Sequence, residues 1–196
     1  MITKLKKIFL AIIIIIILAI VCFITFIILN INNKTDNPLD IMAEESSKEK
    51  LENNEELKVQ ECIIDGKSYE VVAVLYIPTL DIEYPVLSST SKELLKVALN
   101  KYWGPNPNRP GNFCILGHNF NDEKFFGKLH KIQKGEVVQL TDMYGVTLQY
   151  YVYDTYIVDP DNTDCTSQLT NGDTEITLIT CTKDFRKRFV VKAKAE

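Results

Sequence analysis

The feature that most constrains this chain is an uncharged apolar run near its N-terminus. Residues 8–29 form 22 successive positions without a charge, and Lys4, Lys6 and Lys7 precede them. A helix of about 20 apolar residues crosses the hydrocarbon core of a bilayer, and a lysine excess on one flank marks the cytoplasmic side. We therefore expect a cytoplasmic tip and a single-pass anchor within residues 1–31, with the rest of the chain outside the cell membrane.

A cleaved signal peptide is the alternative interpretation of this run. The apolar region of a signal peptide usually spans about 7–15 residues and ends in a cleavage site of small residues. Here the run is longer, and it ends in Ile27-Ile28-Leu29-Asn30-Ile31 without such a triplet. An uncleaved anchor is therefore the favoured prediction.

The segment that follows, residues 32–61, is polar and acidic. Residues 36–67 carry ten acidic and four basic side chains, which accounts for more than the whole net charge of −4. With so few apolar residues it has no core of its own, and it is typical of a stalk or linker. From Ser68 onward no cluster of lysine and arginine provides the basic surface that nucleic acids require.

Residues 62–196 have the pattern of a mainly β domain. An Asp65-Gly66 turn pair is followed by short β-prone runs, at residues 69–77, 82–87, 112–116, 136–141, 146–158, 176–181 and 188–193. Ser91 is placed to cap a short helix over residues 92–99, and residues 125–132 indicate a helical turn. Many short strands with few helices predict a β-barrel or sandwich of about 130 residues.

The five cysteines do not form the dense, paired pattern of a disulfide scaffold. Cys22 lies in the apolar run, which leaves Cys62, Cys114, Cys165 and Cys181 in the outer part of the chain, without a CxxC pair. We predict no metal site and no cofactor, and we expect at least one thiol to be kept for chemistry. A redox role for Cys62 or Cys165 stays open.

Reactive side chains occur at two predicted strand ends. His118 follows Gly117 directly after one strand, and Cys181 ends another, with Arg188 seven residues later. A thiolate attacks carbonyl groups and a nearby imidazole can exchange its proton, while an arginine can stabilise a developing oxyanion. Taken singly, each residue has a plainer interpretation. Cys181 is typical of a small buried side chain, His118 of a turn, and Arg188 of a solvated run of charges. Only their combination points to catalysis.

The combination resembles the sortase family. Residues 177–181, Thr-Leu-Ile-Thr-Cys, match its TLxTC signature, and residues 116–119, Leu-Gly-His-Asn, are similar to the segment around its catalytic histidine. Residues 77–87, 126–132 and 187–191 are similar to its first two strands, the helix after the histidine and its last strand. The resemblance covers about residues 69–196 in order and spacing.

This resemblance implies an eight-stranded sortase-type β-barrel with short helices and a cysteine transpeptidase activity. Cys181 would attack the carbonyl between the Thr and Gly of an LPxTG-like sorting signal and form a thioacyl enzyme. An amine acceptor, commonly on a peptidoglycan precursor, would resolve this intermediate. His118 would act as general acid and base, and Arg188 would stabilise the oxyanion.

The partners implied are therefore surface proteins that bear such a C-terminal signal. Alternation along the strand places Thr177, Ile179 and Cys181 on one face, and we expect Thr177, Ile179 and Thr180 to contribute to substrate binding. Residues 159–173 correspond to the family's substrate-recognition loop. Its four aspartates suggest calcium, but residues 105–110, from which class A members draw further acidic ligands, contain no carboxylate.

Other candidates have plainer interpretations. Arg186 lies close enough to compete with Arg188, His130 falls in a helical segment where we expect a surface role, and Cys114 is typical of strand packing. The short gap between Cys181 and Arg188 disfavours class B, and the absence of a lid motif disfavours class C, so a class A or D form is expected. A cysteine hydrolase and a non-catalytic surface-binding module are the alternative functions.

Overall fold

The computed structural model describes Thr25 and residues 58–196. The anchor predicted at residues 8–29 and the stalk up to residue 57 therefore lie outside the described residues, apart from Thr25. Among the residues described, no helix is long and apolar enough to cross a membrane.

The described part of the chain is built from nine strands joined by short connections. The strands are β1 (Gln60–Ile64), β2 (Lys67–Ile77), β3 (Ile82–Leu87), β4 (Leu99–Trp103), β5 (Gly111–Leu116), β6 (Val137–Asp142), β7 (Thr147–Val158), β8 (Thr174–Cys181) and β9 (Arg188–Ala195). The helical elements are single 3₁₀ turns, at Pro78–Leu80, Leu94–Lys96, Leu129–Lys131 and Asp164–Thr166.

Eight of the strands close into a barrel. Their order is β2-β3-β4-β5-β8-β9-β7-β6, and the pairing of β6 with β2 completes the circle. Strand β1 adds to the outside of β2 as a hairpin, whose turn holds Asp65 and Gly66 at positive φ. The prediction of a mainly β, eight-stranded barrel is confirmed.

The barrel interior holds the main apolar core. All eight barrel strands contribute buried side chains to this core. Leu75, Phe113 and Tyr150 are among the largest, and β4 and β6 contribute Leu99, Val138 and Leu140. Residues 176–181 of β8 are buried at every position. Because alternate side chains of a strand point to opposite faces, β8 must be covered outside the barrel as well as inside.

One predicted helix differs in the structure. Residues 92–99 form only a 3₁₀ turn at Leu94–Lys96, and Leu99 instead begins β4, which pairs in parallel with β3 and antiparallel with β5. The apolar spacing that predicted a helix packs Leu95 and Ala98 inward, but barrel closure requires a strand between β3 and β5. The helical turn predicted within residues 125–132 is present, as the 3₁₀ turn Leu129–Lys131.

Candidate active site

The backbone brings the predicted histidine and cysteine to one edge of the barrel. Strands β5 and β8 run parallel, and their register pairs Leu116 with Ile179. His118 and Cys181 each lie two residues beyond that pair, so both lie at the same end of the barrel. Strand β9 runs antiparallel to β8 and begins with Arg188, which is the register partner of Cys181. The three residues predicted for catalysis thus converge although 63 residues separate His118 from Cys181.

Side chains bind the histidine turn to the cysteine strand in both directions. The hydroxyl of Thr180 donates to the carbonyl oxygen of Gly117 at 2.7 Å, and Asn119 Nδ2 donates to the carbonyl oxygen of Cys181 at 2.8 Å. A backbone bond from Gly117 N to Ile179 O, at 3.2 Å, lies between them. The residue before the histidine and the residue after it are therefore both held in register with the end of β8 at Cys181.

Asn119 was not predicted as a site residue. It follows His118 directly and its side chain is buried, but its partner is 62 residues away in sequence. Its position beside the histidine is the only signal in the sequence that points to it.

Aromatic rings pack around the histidine. The rings of His118 and Phe120 have centroids 5.0 Å apart, and Phe120 packs in turn on Phe125 at 5.7 Å. The carbonyl oxygen of His118 accepts a hydrogen bond from the backbone N–H of Phe126 at 3.0 Å. His118 is buried, with 7% of the residue exposed.

A tight turn sets the arginine opposite the cysteine. Residues 182–187 connect β8 to β9, and Thr182 N donates to Lys187 O at 2.9 Å. Arg188 is 3% exposed and its Nη1 donates to the carbonyl oxygen of Asn162 at 3.4 Å. Arg186, the competing candidate, is exposed within the turn. The geometry thus favours Arg188 over Arg186 as the arginine that lies beside Cys181.

The thiol lies in an apolar cluster on the outer face of the barrel. Cys181 is 1% exposed and packs in a cluster with Leu95, Leu116, Ile179, Val190 and Cys165. Burial raises the pKa of the Cys165 thiol, and the positive charge of Arg188 partly offsets this. The charge of Arg188 therefore acts within the cluster that holds the nucleophile.

Residues 159–173, here called the β7–β8 segment, cover this outer face. Asn112 on β5 donates from Nδ2 to the carbonyl oxygens of Cys165, at 3.0 Å, and Ser167, at 3.1 Å. The backbone of Asn112 exchanges two further bonds with the side chain of Gln168, at 3.0 and 2.9 Å. The predicted recognition loop is therefore fixed to the barrel by hydrogen bonds from strand residues.

The three residues predicted to bind substrate are all buried. Thr177 donates to Asn112 Oδ1 at 2.6 Å, Thr180 donates to Gly117 as described above, and Ile179 lies in the apolar cluster beside Cys181. Their side chains support strand β8 and its neighbours in this structure. Direct substrate contact by Thr177, Ile179 and Thr180 stays a prediction.

The remaining candidates lie apart from this edge. Burial raises the pKa of the Cys114 thiol to about 12, as the packing interpretation requires. His130 is exposed on the Leu129–Lys131 turn. Within residues 58–196, none of the four cysteines is in a disulfide, and no group of three or more His, Cys, Asp or Glu side chains could hold a metal ion.

Known proteins are similar to this chain in sequence and in fold. The family model described as the Sortase domain matches residues 75–196. Sortase A of Bacillus anthracis is 33% identical over 150 residues, which cover 72% of this chain and 67% of that protein. Sortase A of Listeria monocytogenes is 30% identical over 129 residues, which cover 64% of this chain and only 57% of that relative.

Solved structures agree with these sequence matches. Sortase A from Corynebacterium diphtheriae superimposes with a TM-score of 0.60 at 26% identity and covers 65% of this chain and 61% of that one. Sortase C-1 from Actinomyces oris gives a TM-score of 0.59 at 26% identity and covers 64% of this chain and 72% of that one. Structures named sortase A and sortase C thus match equally well, so the expected A or D subclass is not distinguished.

Proposed function

The chain belongs to the sortase family, and from that membership we propose that it is a membrane-anchored sortase acting on LPxTG-like sorting signals. It cleaves the signal between Thr and Gly and transfers the protein to a cell-wall amine acceptor. The observation that carries the proposal is the meeting of Cys181, His118 and Arg188 at one barrel edge, on strands held in register by hydrogen bonds.

In the first half of the reaction, Cys181 gives its thiol proton to His118, and the thiolate Sγ attacks the threonine carbonyl carbon. The carbonyl oxygen becomes negative in the tetrahedral intermediate, and the Arg188 guanidinium offers N–H donors to it. The C–N bond to glycine then breaks, and His118 gives a proton to the leaving amine. The products are a thioester on Cys181 and a peptide with a new amino terminus.

In the second half, an acceptor amine attacks the thioester carbonyl. His118, now neutral, takes a proton from the attacking nitrogen, and the thiolate of Cys181 leaves as the new amide forms. The apolar cluster around the thiol limits the access of water to this intermediate. Such shielding favours transfer to an amine over hydrolysis.

An anchor at residues 8–29 would hold this chemistry at the outer face of the cell membrane, where exported polypeptides arrive. Membrane fractions of cells that produce the full chain, washed with alkaline carbonate, test this part of the proposal. Retention of the chain in the pellet, with digestion of the catalytic domain by protease added to the outside of protoplasts, supports the orientation. Release by the wash contradicts the anchor.

The activity is tested with the purified full chain in detergent, an LPxTG-containing peptide, and triglycine as amine acceptor. We expect a ligated product that requires the acceptor and is lost in Cys181→Ala. Cys62→Ala is the matched control, since Cys62 lies on β1, away from the site, and this variant should ligate as the wild type does.

Other outcomes would contradict the proposal in different ways. Cleavage without ligation at saturating acceptor indicates a hydrolase. Cleavage of peptides that lack the motif indicates a general cysteine protease. Surface attachment of client proteins that persists in cells carrying Cys181→Ala indicates a non-catalytic binding role.

A further inference from the structure

A buried ion pair lies on the same outer face of the barrel as the nucleophile. Lys192 on β9 and Glu175 on β8 approach to 3.2 Å, with side chains only 11% and 14% exposed. The ion pair Lys134–Asp154 is far more open, at 62% and 43%. Because removing charges from water is costly, a buried pair persists only where other hydrogen bonds satisfy it. The proposed reaction uses neither residue.

The hydrogen bonds of the Lys192 ammonium lead to the β7–β8 segment. Its three protons have three acceptors: Glu175 Oε2, Thr177 Oγ1 at 2.9 Å and the carbonyl oxygen of Cys165 at 3.4 Å. That carbonyl oxygen also accepts from Asn112 Nδ2. The Thr177 hydroxyl donates to it as well, at 3.3 Å. Donors from β5, β8 and β9 thus converge on one backbone oxygen of a segment that is mainly exposed.

Three alternate residues of β9 contact the same segment. Arg188, Val190 and Lys192 share one face of the strand. Arg188 donates to Asn162 O, Val190 packs in the cluster that contains Cys165, and Lys192 donates to Cys165 O. The strand that begins with the candidate oxyanion arginine therefore also fixes the wall beside the nucleophile.

We propose that Lys192 is a positioning residue for substrate binding: through the carbonyl of Cys165 it holds the β7–β8 segment against the strand that carries Cys181. The inference rests on the proposed function, since the ligand held by this wall is the extended sorting peptide. Lys192 pairs in register with Thr177, four residues before Cys181, which is about 13 Å along a strand. It acts on substrate affinity through the segment and does not touch the reacting atoms.

The test compares Lys192→Met with the double variant Lys192→Met/Glu175→Gln, both as full chains in detergent. The single variant leaves the Glu175 carboxylate buried without its cation, whereas the double variant removes both charges. Lys134→Met is the matched control, because it breaks an ion pair away from the segment. KM and kcat are measured for peptide cleavage, and amide hydrogen exchange is measured over residues 162–168 without substrate.

We expect KM to rise by roughly 10- to 150-fold in both Lys192 variants, the scale of one lost charge-assisted hydrogen bond, with kcat within about twofold of the wild type. Exchange over residues 162–168 should rise in both variants, and Lys134→Met should match the wild type. If the single variant fails to fold, the double variant carries the test.

Two results would overturn the inference. Recovery of wild-type KM and exchange in the double variant would mean that only the uncompensated charge of Glu175 mattered. A fall in kcat at unchanged KM would place Lys192 in the chemical step. If the wild type cleaves no sorting peptide, the proposed function fails, and the exchange data alone still decide whether Lys192 holds the segment.

Discussion

Replacing Thr180 with valine removes one hydroxyl and keeps nearly the same shape. That hydroxyl donates to the carbonyl oxygen of Gly117 at 2.7 Å, within the buried contact between β8 and the histidine turn. The variant therefore tests whether this contact, one residue from both His118 and Cys181, holds together the two segments that carry them.

The size of the effect follows from the burial of the bond. Leaving a buried acceptor without its donor costs about 1–3 kcal/mol. For a domain of this size each kcal/mol lowers Tm by about 3–5 °C, so Tm should fall by roughly 3–15 °C. A displacement of His118 from the thiol by even 1 Å can reduce the rate by up to about 100-fold, so kcat should fall as well.

Thr90 provides a matched control of identical chemistry. It is 5% exposed, and its hydroxyl has no hydrogen-bond partner among the residues described. Thr90→Val removes a desolvated hydroxyl without breaking a bond, so its Tm should stay unchanged or rise. Differential scanning calorimetry of the wild type and both variants gives the comparison. A Thr180→Val protein that melts within about 1 °C of the wild type, or a Thr90→Val protein that loses as much, would refute the reasoning.

Three further predictions concern the site and the buried thiols. Arg188→Lys keeps the charge but loses the planar set of donors, so kcat for peptide cleavage should fall by about 100- to 1,000-fold, and an unchanged kcat would exclude Arg188 from oxyanion stabilisation. Asn119→Ala should lower both Tm and kcat because the bond to the Cys181 carbonyl is lost, whereas a change in KM alone would contradict a role at the nucleophile. Burial raises the pKa of Cys114 from 9.0 to about 12. The buried thiol therefore stabilises the fold fully below pH 9, and this contribution is lost as the pH rises towards 12, by at most about 1.4 kcal/mol per pH unit. The free energy of unfolding, measured with urea at pH 8 to 11, should decline less steeply in Cys114→Ala than in the wild type, and equal declines would refute this.

The sequence predicts those strands of the barrel whose local residue pattern is already typical of a β-strand. Strands β5 and β8 contain runs of β-branched and other apolar residues that end at glycine or at the nucleophile, and both were predicted within two residues of their bounds. Strand β4 was missed because its first residue, Leu99, continues the helical spacing of Leu94, Leu95 and Ala98. Its pairing with β3 covers only two residue pairs, a signal that exists in three dimensions and not in the local sequence.

The candidate site was likewise predicted in part from the sequence. His118, Cys181 and Arg188 follow from motif spacing, since each lies at the end of a strand that the pattern already indicates. The contacts of Asn119 and Lys192 could not be predicted, because they join the side chain to carbonyl oxygens 62 and 27 residues away. A lysine within an alternating strand also has the pattern of a solvent-facing residue, and only the β7–β8 segment above it makes Lys192 buried.

Strand β9 is the last of the nine strands in the order of synthesis, yet it lies between β7 and β8. Until residues 188–195 have emerged, both neighbours have open edges and the barrel cannot close. Cys181 is made before Arg188, so an unfinished chain contains the thiol without its paired guanidinium. The order of translation thus delays the pairing of Cys181 with Arg188 until β9 can close the barrel.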